Sequence, residues 1–338
     1  MRGRCGGVVA GLAAFLVTAP PAGALEPVAE FGANPGDLDL FVHVPAAQEP
    51  GGALVVALHG CTQQASDFDD ETGLVALAEA VPFVLLLPQQ REANNPERCF
   101  NFFRREDNRP GRGESASIRA MVAHGVDRFE VDPAQVFVLG LSAGGSMTAV
   151  LLANYPDVFA AGGIVAGTPF DCNRPNLWRW GPWWTLRLTF GEAPAASFAC
   201  GILGPSPIDR TPQDWGDAVR AVAVPAPDRW PRLSIWQGTA DDVVDPANQR
   251  ELLEQWRDVH GLESTPEPLT APGDGEREVH RDAAGTAVIE AWRLTDFPHA
   301  LPVDPAAEPE PCGTAAPYLE PHPVCAVRRI AAFWGLSR

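Results

Sequence analysis

Three residue types that lie far apart in the chain could together perform nucleophilic acyl transfer: a serine, a histidine and an aspartate. The serine is Ser142, within Gly140-Leu141-Ser142-Ala143-Gly144. Upstream, Gln135-Val136-Phe137-Val138-Leu139 is a β-branched and aromatic run that reads as a buried strand. Downstream, Gly145 to Asn154 is rich in small and helix-forming residues and holds no proline. Strand, tight turn and helix are the setting in which G-x-S-x-G becomes a nucleophile elbow. A side chain at 140 or 144 would crowd the turn that lifts the Ser142 hydroxyl above the sheet edge.

A serine hydroxyl is a weak nucleophile near neutral pH. It needs a base, and the base needs an orienting acid. At an elbow of this kind the acid and the histidine follow the serine in the chain. The later histidines are His260, His280, His299 and His322. His260 ends a predicted helix, His280 precedes the last predicted strand, and His322 sits between two prolines. His299 lies just past the C-terminal end of that strand, at the edge where the elbow opens, and is the expected base. For the acid, the strand Leu233 to Trp236 runs into Gln237-Gly238-Thr239-Ala240-Asp241-Asp242-Val243-Val244. Asp241 fits a G-x-x-D-x-x-V turn that faces the acid to the histidine loop. Asp242 then points to solvent or caps the next turn, because neighbouring residues on a turn rarely share a direction. Two backbone N–H groups are needed for the oxyanion: Ala143, straight after the nucleophile, and Cys61, in the loop after the Leu54 to Leu58 strand.

The elements that must position these groups alternate. Strands are expected at Leu38 to Val44, Ala53 to Leu58, Phe83 to Leu87 (stopped by Pro88), Gly162 to Ala166, Arg232 to Trp236 and Thr286 to Leu294. Helices are expected at Ala65 to Ala80, Glu114 to Phe129, Pro246 to Val259 and Val327 to Trp334, with a long polar loop over 88–113. Such alternation predicts an α/β fold with a mostly parallel sheet covered on both faces. Residues 167–231 break the rhythm with many prolines and with Trp178, Trp180, Trp183 and Trp184. A stretch of this length reads as a lid. Its tryptophans, Trp178, Trp183 and Trp184 among them, either line an apolar substrate cleft or form the lid's own small core.

The chain has 338 residues and a formal net charge of −18, which argues against nucleic acid or an anionic membrane as partner. Arg2 and Arg4, the apolar run Val8 to Val17 and Ala22-Gly23-Ala24 have the layout of a signal peptide cleaved after Ala24. Residues 25–338 are then expected to form a single secreted, monomeric catalytic domain with no appended binding domain. Of the cysteines, Cys5 falls in the leader. The others are Cys61, Cys99, Cys172, Cys200, Cys312 and Cys325, an even set that suggests disulfides in an exported chain. Proximity along the chain favours Cys61–Cys99, Cys172–Cys200 and Cys312–Cys325, though spacing alone leaves other pairings open. No Cys/His cluster has metal-ligand spacing, and no metal or cofactor is expected.

The chain resembles the poly(3-hydroxybutyrate) depolymerase family of secreted serine esterases, which is related to feruloyl and acetylxylan esterases. The matching pieces are Leu58-His59-Gly60-Cys61-Thr62-Gln63, Gly140 to Met147, Tyr155-Pro156-Asp157-Val158-Phe159-Ala160, Gly238-Thr239-Ala240-Asp241 and Cys312-Gly313-Thr314-Ala315-Ala316-Pro317-Tyr318. The resemblance implies an α/β-hydrolase fold, the triad Ser142, Asp241 and His299, an oxyanion hole at Cys61 and Ala143, and an ester substrate. It departs from the family pattern at Phe100 and Phe102, where tryptophan is common, at Pro298 and Leu301 around the histidine, and at Gln237, where the strand commonly ends in histidine. Phe100, Phe102 and Leu301 are therefore expected near the substrate. The expected substrates are poly- or oligo(3-hydroxyalkanoate) esters. The alternatives are a feruloyl or acetylxylan ester on plant polysaccharide, or an inactive secreted polymer-binding module.

Overall fold

The strand that leads to Ser142 is Val136–Leu141, and every one of its residues is buried. Phe137, Leu139 and Leu141 enter one apolar core, while Val136 and Val138 enter a second on the opposite face. Ala53–Leu58 divides in the same way, with Leu54, Val56 and Leu58 on one face and Ala53, Val55 and Ala57 on the other. A strand with apolar side chains on both faces must be covered on both, which is why these segments read as unbroken hydrophobic runs.

The computed structural model describes residues 25–174, 192–263, 265–272 and 275–337. The expected leader, 1–24, lies outside them, as do Trp178, Trp183 and Trp184 of the expected lid. In chain order the elements are β1 (Glu26–Pro27), β2 (Asp39–His43), β3 (Ala53–Leu58), α1 (Ala65–Asp69), α2 (Leu74–Ala80), β4 (Phe83–Gln89), α3 (Gly113–Arg128), β5 (Val136–Leu141), α4 (Ala143–Asn154) and β6 (Ala161–Val165). There follow α5 (Glu192–Ala199), α6 (Pro212–Arg220), β7 (Arg232–Gly238), α7 (Ala247–Val259), β8 (Glu267–Thr270), β9 (Gly275–Arg281), β10 (Ala287–Leu294), β11 (Leu301–Val303), β12 (Leu319–Pro321) and α8 (Ala326–Trp334).

The main sheet has the order β1-β2-β4-β3-β5-β6-β7-β10-β9-β8. Its centre, from β4 through β3, β5, β6 and β7 to β10, is parallel, and its two margins are antiparallel. Helices α3, α4 and α7 cover one face through Met121, Met147, Leu151 and Trp256. Helices α1, α2 and α8 cover the other through Phe68, Leu74, Ile330 and Trp334. Two ring stacks cross this second face: Trp236 on Trp292 at 4.5 Å and Phe137 on Trp334 at 5.0 Å. No described helix is long and apolar enough to cross a membrane.

Four features depart from the expected elements. The helix expected from Ala65 to Ala80 is two, because Gly73 takes a left-handed backbone (φ 81°) that ends the right-handed run, with Thr72 Oγ1 bonded back to the carbonyls of Phe68 (2.5 Å) and Asp69 (3.1 Å) just before it. Strand β4 runs through Pro88 to Gln89. It pairs with β3 only as far as Leu86, so the absent Pro88 N–H interrupts no ladder there. The hairpin β8–β9 was hidden by Glu276, Arg277 and Glu278, charges suited to an exposed sheet margin. Within 167–231 the prolines do not all mark loop. Pro212 opens α6 at its first turn, where no N–H is needed, and Thr211 caps it by accepting from Asp214 N at 3.1 Å.

Three disulfides, Cys61–Cys99, Cys172–Cys200 and Cys312–Cys325, tie loops to this frame. The first joins the loop after β3 to the long loop of 88–113, which is organised by a buried carboxylate. Glu114 accepts from Asn101 N (2.7 Å), Asn101 Nδ2 (2.6 Å) and Gln90 Nε2 (2.5 Å). Burial pushes the Glu114 carboxyl up from 4.5 to about 8, helped by the charge of Asp107 and opposed by those three donors. The folded protein therefore holds this proton well above the pH at which the unfolded chain releases it. Stability is full below about pH 4.5 for this group and is lost as pH rises through about 8. Glu114→Gln is expected to flatten the fall in thermal midpoint between about pH 5 and about pH 8. A profile of Tm against pH as steep as that of the unmodified protein would refute the assignment.

Candidate active site

Ser142 sits between the end of β5 and the start of α4 with φ 58° and ψ −118°. This is a strained conformation for a residue with a Cβ. The turn holds because the Ser142 amide donates to Val165 O of β6 at 2.9 Å, and Ser146 N donates to Ser142 O at 2.8 Å. It also needs glycine at 144. A Cβ there would lie 2.1 Å from Leu58 O and 2.6 Å from His59 O, so α4 could not dock against the end of β3. The hydroxyl is left half-buried at the carboxyl edge of the parallel strands.

The histidine and the acid reach the same edge from β10 and β7. Thr239 N donates to Leu294 O (2.9 Å), Ala240 N donates to Phe297 O (3.0 Å), and Asp296 N donates to Thr239 Oγ1 (2.8 Å). These bonds zip the acid turn to the histidine loop. His299 Nδ1 lies 2.8 Å from Asp241 Oδ2, and its Nε2 lies 2.9 Å from Ser142 Oγ. A carboxylate only accepts, so the ring proton is on Nδ1 and the bare Nε2 faces the hydroxyl. The Asp241 carboxylate is fully engaged. Oδ1 accepts from Val243 N (2.9 Å) and Val244 N (2.8 Å), and Oδ2 accepts from Gln237 Nε2 (2.8 Å) as well as from His299. Asp242, by contrast, is exposed.

Two amides beside Ser142 are placed to receive a negative oxygen. Ala143 is the first residue of α4, and the first N–H groups of a helix have no intrahelical acceptor. In the β3 loop, Gly60 N is taken by Gln63 Oε1 (2.8 Å) and Thr62 N by Glu97 O (2.6 Å), which leaves the Cys61 amide between them. Ser142, His299, Gly60, Cys61 and Ala143 line one cleft of about 520 Å³, whose walls also include Phe102, Phe103, Ile202 and Val244. The arrangement can move a proton from Ser142 to His299 while an acyl carbonyl is held against the two amides.

Of the residues expected near the substrate, Phe102 lines this cleft. Phe100 and Leu301 do not, and both are fully buried. Phe100 packs behind the cleft on the His59 ring at 4.9 Å, and Leu301 pairs with Leu319 in the β11–β12 ladder. Their expected proximity rested on departures from the family pattern around the expected cleft. That does not show which way a side chain points: the chain turns at Phe102 and Phe103, which both line the cleft, while Phe100 packs inward. Three residues took no role in the sequence reading. Gln237, met there only as an unusual residue, is bonded to the acid. Phe103 shares the wall with Phe102. Tyr318, the last residue of the Cys312-to-Tyr318 motif, is in the cleft with its ring 6.1 Å from that of His299, at φ 65°.

A family model described as Esterase PHB depolymerase matches residues 38–176. Poly(3-hydroxyalkanoate) depolymerase C of Paucimonas lemoignei is 38% identical over 313 residues, which cover 93% of this chain and 70% of that protein. Feruloyl esterase B of Thermothelomyces thermophilus is 31% identical over 255 residues, covering 75% of this chain and 81% of that protein. Among solved structures, the acetyl xylan esterase from Aspergillus awamori superposes with a TM-score of 0.72 at 22% identity, over 93% of this chain and all of that one. The fold is that of the α/β-hydrolase esterases.

The different surroundings of the adjacent aspartates lead to a paired prediction. Asp241→Asn is expected to lower kcat/KM by about 10³- to 10⁴-fold, because an amide in place of Oδ2 no longer fixes the tautomer of His299. Asp242→Asn should leave it within about twofold, as expected for an exposed polar change. Steady-state kinetics on the two variants measure this, and a reversed order would move the acid by one residue.

Proposed function

We propose that this chain, which belongs to the esterase PHB depolymerase family and is a carboxylic ester hydrolase, works with Ser142 as nucleophile, His299 as general base and Asp241 as the carboxylate that orients it. The observation that carries this reading is the pair of hydrogen bonds through His299, 2.9 Å to Ser142 Oγ and 2.8 Å to Asp241 Oδ2. His299 Nε2 takes the hydroxyl proton as Oγ bonds to the ester carbonyl carbon. The carbonyl oxygen becomes an oxyanion held by the amides of Cys61 and Ala143. The tetrahedral species collapses, the C–O bond to the alcohol breaks, and Nε2–H protonates the departing oxygen. Water, deprotonated by the same nitrogen, then attacks the acyl-enzyme and releases the acid and free Ser142. Throughout, Asp241 keeps its charge and stabilises the imidazolium.

The proposed substrates are esters of poly- or oligo(3-hydroxyalkanoate) type. Support comes from the relative named as a poly(3-hydroxyalkanoate) depolymerase, which is more similar along more of the chain than the feruloyl esterase. The cleft fits an aliphatic acyl chain, since Phe102, Phe103, Ile202 and Val244 offer it apolar contact. The second reading, a feruloyl or acetylxylan esterase, is favoured by the 31% identity to feruloyl esterase B. We further propose that residues 25–338 act as one exported catalytic domain. Three disulfides favour an oxidising compartment.

Ser142→Ala is expected to keep the thermal midpoint and to lose at least about 10³-fold in kcat on p-nitrophenyl butyrate, leaving the residual contribution of the oxyanion amides. More activity than that in a folded variant would remove Ser142 from its role. On a panel of natural esters, kcat/KM should be higher for hydroxybutyrate oligomers than for feruloylated or acetylated xylan. The opposite ranking selects the second reading, and no turnover of any ester by the unmodified protein selects a binding module.

A further inference from the structure

Directly behind the cleft is a polar cluster that the proposed steps do not use. His59 follows β3 and is 1% exposed. Its Nδ1 lies 2.7 Å from the carbonyl oxygen of Gly60. Its Nε2 lies 3.2 Å from the backbone N–H of Gln90 and 3.3 Å from the side-chain amide nitrogen of Gln89. A backbone N–H can only donate, so Nε2 is the bare nitrogen and Nδ1 carries the proton. The Nδ1–H group therefore donates to Gly60 O. Burial, with the nearby charge of Arg98, lowers the imidazole to about 4 against the pull of the Gly60 carbonyl, so the ring is neutral in ordinary buffers. Phe100 packs against it at 4.9 Å, and Gln90 is itself pinned by its bond to Glu114 at 2.5 Å.

The carbonyl that His59 holds and the amide of Cys61 belong to the same peptide unit. That unit is planar and trans, so its C=O and N–H point in opposite directions. The carbonyl points to the buried ring. The opposite side faces the cleft, which both Gly60 and Cys61 line. Gly60 leaves this peptide free to rotate unless something fixes it, since glycine has the widest choice of backbone angles. Cys61 is tied through its side chain to Cys99, but a disulfide acts at Sγ and does not set the orientation of the peptide before it.

We propose that His59 is a positioning residue for the oxyanion site: its Nδ1–H holds the Gly60 carbonyl inward and thereby aims the Cys61 N–H at the oxygen of the tetrahedral intermediate. The inference rests on the acyl-transfer reading of Ser142. The long loop of 88–113 enters the same device, because Gln90 on that loop dictates the tautomer that makes His59 a donor toward Gly60.

The two ring nitrogens can be tested separately. Asparagine places its amide nitrogen where Nδ1 lies, and glutamine places its amide where Nε2 lies. On p-nitrophenyl butyrate, with active sites titrated so that only folded enzyme counts, His59→Gln and His59→Leu are expected to lose about 10²-fold in kcat with KM little changed. His59→Asn is expected to recover most of that loss. A trifluoromethyl ketone, which forms the oxyanion adduct, should bind the Gln and Leu variants more weakly by the same factor. If folded Gln and Asn variants are equally impaired, or the Leu variant keeps full kcat, His59 is structural only and the proposal fails. A measurement on the unmodified protein stands apart from folding of the variants and from the ester reading. In ¹⁵N-histidine-labelled enzyme, His59 should show a protonated Nδ1 and a bare Nε2. The opposite tautomer leaves Gly60 O without a donor and overturns the proposal.

Discussion

The constraint on which the site depends is the backbone of Ser142. A residue with a Cβ at φ 58° and ψ −118° costs about 1–3 kcal/mol and persists only where its surroundings over-determine it. Here those surroundings are the centre of the sheet. β5 is bracketed by parallel β3 and β6, and all of its residues are buried. The Ser142 amide is fixed to β6, and the helix that follows is pressed onto the end of β3 through Gly144. Relaxing the turn would cost packing on both faces, so the strain is retained and the hydroxyl stays at the sheet edge.

Around that fixed hydroxyl, polar groups are satisfied in layers. The Asp241 carboxylate accepts four hydrogen bonds, from two backbone amides, Gln237 and His299, which lock its plane. His59 and Glu114 are also buried, and they are linked through Gln90. Hydrogen bonds in such a setting are strong, and an unpaired member is costly. The geometry of the reacting groups is thus inherited from side chains that never meet a substrate.

The elbow was legible in the sequence because its determinants are local: a buried strand, glycines at fixed offsets and a helix. The histidine and aspartate were legible because each follows a strand whose hydrophobic run is plain. Asp241 could be separated from Asp242 by turn pattern, and the two do differ in burial as that pattern expects. Contacts across the chain were not legible. Nothing in the run Trp236-Gln237-Gly238 shows that the amide reaches a carboxylate four residues on, since that depends on the path of the turn. Phe100 and Leu301 were drawn toward the cleft by their departure from the family pattern, while packing sends both inward. The charged hairpin β8–β9 and the proline-initiated α6 were missed for one reason. Composition was read as loop where an exposed sheet margin and a first helical turn tolerate the same residues.

One feature of the sheet bears on how such a protein can diversify. Strands β6 and β7 pair in register from Ala161 opposite Arg232 to Val165 opposite Trp236, and the Ala166 amide adds a further bond to Trp236 O at 2.9 Å. The two ends of the excursion 167–231 are therefore clamped side by side, whatever the chain between them does. A segment anchored at a fixed span can change length at little thermodynamic penalty, since closure entropy grows only with the logarithm of loop size. This excursion, however, also reaches the acid turn: Leu203 N donates to Val243 O at 2.8 Å and Ile202 bridges Val244, so an exchange of the segment would be felt at the amides that hold Asp241.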